Sequence, residues 1–152
     1  ENAPIDLNDV DPKWLKDTLD KSGIRWRVIV ISACYSGSFV PALQDDNTLI
    51  ITASAADRAS FGCSNEADYT YFGRAFFDQS MREQTSISAA FEQSKETVAQ
   101  WEKAQGFEPS EPQWSIGKNM EFMLPQLEQR LFPAKIQTDM KIETPQLSVQ
   151  TP

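Results

Sequence analysis

Cys34 follows closely on Trp26-Arg27-Val28-Ile29-Val30-Ile31, whose four successive β-branched residues have the pattern of a strand buried on both faces of a parallel sheet. Open α/β sheets hold their reactive groups just beyond the carboxyl ends of such strands. The strand would fix the position of the sulfur while leaving it open to substrate. The turn-forming run Ser36-Gly37-Ser38 would bring backbone N–H groups to a developing oxyanion. The chemistry implied is attack by a thiolate. A lone cysteine after an apolar strand is also what a small buried core residue looks like, and periodicity does not separate the two readings.

Several other chemistries are removed by the surrounding residues. A phosphatase loop needs an arginine six positions after its cysteine, where Val40 stands. No Gly-x-Ser-x-Gly elbow or Gly-rich phosphate loop occurs, and Cys34 and Cys63 are too far apart for a Cys-x-x-Cys redox pair. With no histidine and two cysteines there is neither a zinc pattern nor a disulfide framework, so no metal or cofactor is expected. Cys63 reads as a small apolar filler, and the Asp45-Asp46 pair as a solvated turn. The net charge of −8, with scattered basic residues, gives nucleic acid no electrostatic footprint. No run approaches the roughly 18 apolar residues of a spanning helix, so no membrane contact is expected from this segment itself.

The elements that must position Cys34 are legible in outline. Asp11-Pro12 opens a helix expected over 12 to 22, with Gly23 behind it. The run ending at Ile31 is expected to be the central strand. Residues 37 to 44 suit a short helical crossover into a second buried strand, Thr48 to Ala53. Residues 57 to 71 read as a long functional loop, Phe72 to Met81 as a helix, and 86 to 105 as a helix stopped by Gly106. Gln113 to Gly117 suits a further strand, and 119 to 131 is apolar but interrupted by Pro125. Residues 1 to 132 form one unit on this reading, and 133 to 152 an extended or disordered tail.

Beyond these patterns, Ser32-Ala33-Cys34-Tyr35-Ser36-Gly37-Ser38 resembles the nucleophile block of the legumain-like cysteine peptidases, closest to bacterial members. The stretch from Ile51 to Cys63 resembles the family's next strand and its substrate-flanking loop, and Thr70-Tyr71-Phe72-Gly73 the start of the helix that follows. Three blocks in the right order make the likeness specific over residues 25 to 80 and looser over 86 to 118. It implies a caspase-like three-layer α/β/α fold with a mostly parallel central sheet, of which this chain holds the C-terminal, nucleophile-bearing part. It also implies a cysteine endopeptidase working through a Cys-His dyad on peptide or protein substrates.

By that resemblance Cys34 is the nucleophile and its own N–H part of the oxyanion hole. The histidine, in a His-Gly step, is expected from an upstream segment or a partner chain, so this chain alone should be inactive. Ala59, Ser60 and Phe61 occupy positions that pair with the substrate main chain. Asparaginyl members carry a Glu two residues before the nucleophile and an Asp after the Gly of the Tyr-x-Gly block, where this chain has Ser32 and Arg74. Exchanging two carboxylates for a hydroxyl and a guanidinium favours a P1 side chain that accepts hydrogen bonds, with Arg58 as a second contact. The competing expectation is that Arg74 pairs with Asp57, Glu66 or Asp68. The resemblance further implies a bacterial cell-envelope location through upstream segments. The alternative function is a caspase-like scaffold that binds peptides or partners without cleaving them.

Overall fold

A computed structural model describes residues 10–62 and 69–133. Helix α1, Pro12–Lys21, starts where Asp11 accepts the Trp14 N–H at 2.8 Å, with Pro12 at a position that needs no donor. Strand β1, Arg27–Ile31, leads through a 3-10 turn, Ser36–Phe39, and the short helix α2, Val40–Leu43, into strand β2, Thr48–Thr52. The chain then forms α3, Tyr71–Gly73, a π-helical stretch, Arg74–Ser80, and α4, Met81–Glu83. Helix α5, Ile87–Gln105, ends at Gly106, whose φ of 71° is the left-handed cap that glycine adopts without penalty. Strand β3, Gln113–Ile116, and helix α6, Lys118–Leu131, complete the described part.

The three described strands lie in the order β1-β2-β3, the first pair parallel and the second antiparallel. Alternation along β2 sends Leu49, Ile51 and Ala53 into one core with Phe72, Phe76, Phe91, Val98, Met120 and Leu124. Leu43 and Ile50, both buried, belong to the opposite face, where α2 packs on β2 and α1 on α2. The result is the expected α/β class in three layers, helix, sheet and helix, consistent with part of a caspase-like domain. Among the described residues no helix is long and apolar enough to cross a membrane.

Three expectations need correction. The run ending at Ile31 is not the central strand: β2 takes that place, and β1 has a neighbour on one side only among the described strands. The helix after Thr70 is not regular, because residues 74 to 80 widen into π geometry. Pro125 does not interrupt the last segment, since α6 runs through it. A proline inside a helix costs about 3 kcal/mol. Burial of Met120 and Leu124 in the core offsets that cost, while Pro125 itself is exposed. The expected tail, apart from Pro133, lies outside the described residues.

Candidate active site

Cys34 sits where the chain leaves β1, and it is an exposed free thiol. The next residue, Tyr35, takes the left-handed conformation, φ 57° and ψ 18°. A non-glycine residue adopts that conformation at a cost of roughly 1–2 kcal/mol. The sharp turn carries the chain off the sheet and leaves the sulfur at its edge. Gly37 then passes so close to the end of β2 that a Cβ there would lie 2.6 Å from the Ala56 nitrogen. Only glycine lets the two backbones meet.

Two buried serines tie the turn after Cys34 to that strand end. The Ser36 N–H donates to Ser54 Oγ and the Ser54 N–H to Ser36 Oγ, each at 3.2 Å, while the Ser54 hydroxyl donates to the Ala33 carbonyl at 3.2 Å. The sequence placed Ser36 in a turn-forming run and Ser54 in the stretch that resembles the family's next strand and flanking loop. Their positions, one in the turn after β1 and one just past β2, were the signal available for pairing them.

Main-chain groups of the flanking loop hold the other side of the turn. The Tyr35 N–H donates to the Arg58 carbonyl at 2.8 Å. The Cys34 thiol donates to the Ser60 carbonyl at 3.2 Å and accepts from the Ser60 N–H at 3.3 Å, with Ser60 Oγ 3.8 Å away. Sulfur is thus cradled by one residue's backbone. The Cys34 N–H itself has no acceptor among the described residues. It is therefore available to an oxyanion formed at the thiol.

The expected substrate-side residues fall into two groups around this centre. Ala59, Ser60 and Phe61 do lie beside Cys34. The Phe61 carbonyl accepts from the Tyr71 N–H at 2.9 Å and its ring stacks on Phe107 at 4.4 Å, so that residue is largely engaged by the protein. The backbone of Ala59 has no partner among the described residues. Ser32 bonds through its hydroxyl to Thr70 Oγ1 at 2.7 Å, and the same Thr70 oxygen caps the Gly73 N–H at 2.9 Å. Thr70, passed over in the sequence, therefore links Ser32 to the helix that carries Arg74.

The two arginines are spent differently. Arg58 faces Glu108 and Glu111, at 3.9 and 3.6 Å. Arg74 is exposed, and its guanidinium lies 5.5 Å from the centre of the Trp101 ring, a cation–π contact. No ion pair joins Arg74 to Asp57 among the described residues. Glu66, Asp68 and Cys63 lie outside them. No cluster of three or more metal-ligating side chains occurs among the described residues. A shallow hollow between Asp45-Asp46 and Gly117-Lys118 lies at the opposite end of β2 from the thiol.

A family model described as Peptidase C13 family matches residues 2–123. The chain belongs to the Peptidase C13 family. No curated protein matches it. Peptidase C13 is the legumain-like family of cysteine peptidases, and at that level the activity is hydrolytic and the substrate a peptide or protein.

Proposed function

We propose that this chain carries the nucleophilic part of a legumain-like cysteine endopeptidase, with Cys34 as nucleophile and the partner imidazole supplied from outside its 152 residues, which contain no histidine. The observation that carries the reading is the thiol's setting: exposed, at the end of β1, next to an N–H with no acceptor among the described residues. An imidazole arriving along the side of β1 that has no neighbour among the described strands would take the thiol proton. The thiolate would attack the scissile carbonyl, and the oxyanion would be met by the Cys34 N–H. The imidazolium would then protonate the leaving amine, and water would release the acyl group.

The flanking residues support substrate binding from two sides. Ala59, whose backbone groups are open, would pair with the substrate main chain, while Ser60 and Phe61 shape that wall. Ser32 and Arg74 would face the P1 side chain, and the outward guanidinium favours an acidic one. Arg58, which faces Glu108 and Glu111, would be a second contact to that side chain. A complete domain should cleave after Asp faster than after Asn or Arg; preference for Asn or Arg ends the acidic-pocket reading. The expected cell-envelope location belongs to the same proposal, and membrane fractionation of the full-length protein tests it.

A non-catalytic scaffold is the second reading, and it holds if no histidine meets Cys34 in the full-length protein. Labelling with a peptidyl electrophile separates the two. A longer chain that restores upstream sequence should label at Cys34, the present chain and Cys34→Ala should not, and failure of the longer chain to label favours the scaffold.

A further inference from the structure

Glu102, on the last turns of α5, is only 2% exposed, although a buried carboxylate is costly unless something uses it. Its Oε2 accepts the Ser110 N–H at 3.1 Å, while Oε1 meets no donor among the described residues. The Ser110 carbonyl in turn accepts the Ala55 N–H at 2.9 Å, and the Ala55 carbonyl accepts the Arg58 N–H at 3.3 Å. The Arg58 carbonyl accepts the Tyr35 N–H at 2.8 Å, one residue from the nucleophile. A continuous series of hydrogen bonds therefore runs from the α5 carboxylate to the turn that presents the thiol.

The segment between Glu102 and β3 reinforces this line twice more. Phe107 stacks on Phe61, and Glu108 and Glu111 face the Arg58 guanidinium. Glu111 holds φ at 55°, an unfavourable conformation for a glutamate, between Pro109 and Pro112, which restrict the backbone. All three contacts fall on residues 55 to 61, the wall beside the thiol.

We propose that Glu102 is a positioning residue of the peptidase site: its carboxylate anchors Ser110, and through it residues 107 to 111 hold the substrate-flanking segment in register with Cys34. The proposal rests on Cys34 being the nucleophile for its consequence in catalysis, but its structural part can be tested without activity. Removing the side-chain oxygen that accepts a buried main-chain N–H leaves that donor unsatisfied. Loss of that bond should release the segment while leaving β2 in place.

The test is amide hydrogen exchange on the full-length protein. In Glu102→Leu, which keeps the volume and removes the acceptor, exchange at Tyr35 and Arg58 should rise about tenfold, the loss of one buried hydrogen bond. Exchange at Ile50 and Ile51 should not change. Glu102→Gln, which keeps an acceptor oxygen, should recover most of the protection. Unchanged exchange at Tyr35 and Arg58, or equal acceleration throughout β2, overturns the proposal. In parallel, Glu102→Leu should slow labelling of Cys34 by a peptidyl electrophile without changing its alkylation by iodoacetamide. A wild-type protein that takes no peptidyl label removes the peptidase reading, and the exchange pattern still decides whether Glu102 positions the turn.

Discussion

Strands β1 and β2 are alike in sequence and unlike in place. Val28-Ile29-Val30-Ile31 and Leu49-Ile50-Ile51-Thr52 are both unbroken runs of the kind that fills the middle of a parallel sheet. Every residue of β2 is buried, whereas none of β1 is, and Val28 is 41% exposed. The difference is one of neighbours. Among the described strands β2 is bonded on both sides, and β1 on one. Composition records how much burial a strand can use, and β1 carries more apolar surface than the described residues cover. Cys34 follows the strand that is less covered among the described residues, and the proposed function needs that side open to a second catalytic group.

Truncation separates the two strands most sharply. Ile50→Ala should cost about 2–5 kcal/mol in denaturant unfolding, as for a large side chain removed from a packed core, and Val28→Ala less than about 1 kcal/mol. Equal costs in a longer protein would mean that β1 is covered there. Gly37→Ala probes the junction between the strands. It should destabilise by about 1–3 kcal/mol by forcing the turn off the Ala55-Ala56 backbone, and it should reduce labelling of Cys34 more than unfolding accounts for.

Next in size is Ser54→Ala, which leaves the buried Ser36 N–H without its acceptor, at about 1–3 kcal/mol in the same assay. Tyr35→Val places a β-branched residue in the left-handed region and should cost about 1–2 kcal/mol, whereas Tyr35→Gly should be tolerated. The smallest effect lies on α1. Hydrogen bonds from Lys13 to Asp17, and from Lys16 and Arg27 to Asp20, hold both carboxyls below the usual carboxylate range. Their contribution is present above that range and lost as the pH falls through the lowered values. An acid titration of α1 by amide chemical shift should show it, and Asp17→Asn should remove the Asp17 part.

The sequence made the strands readable because β-branched runs leave few other options, and it placed Cys34 because a strand followed by Ser-Gly-Ser specifies an exit turn. It also signalled α1 and α5 through Asp11, Pro12 and Gly106. It did not reveal which strand is central, because that depends on partners distant in the chain. The π-helical stretch over 74 to 80 has no local composition that distinguishes it from an α-helix. Pro125 misled because local propensity was outweighed by the burial of Met120 and Leu124. In the site, Ser32 and Arg74 were singled out, but not Thr70 or Trp101, which hold them. The Ser36-Ser54 pair and the Glu102-Ser110 contact were hidden, since single serines and a glutamate on a helix ordinarily face water.

The bonds from Ser60 and Arg58 to the nucleophile turn use main-chain atoms, which almost any residue can provide. A saturation library at position 59 should therefore retain many variants whose thiol is correctly held, differing instead in the shape and polarity they offer a peptide. On the proposed function, Ala59 is a place where selectivity could be rewritten by point substitution without rebuilding the apparatus beneath it.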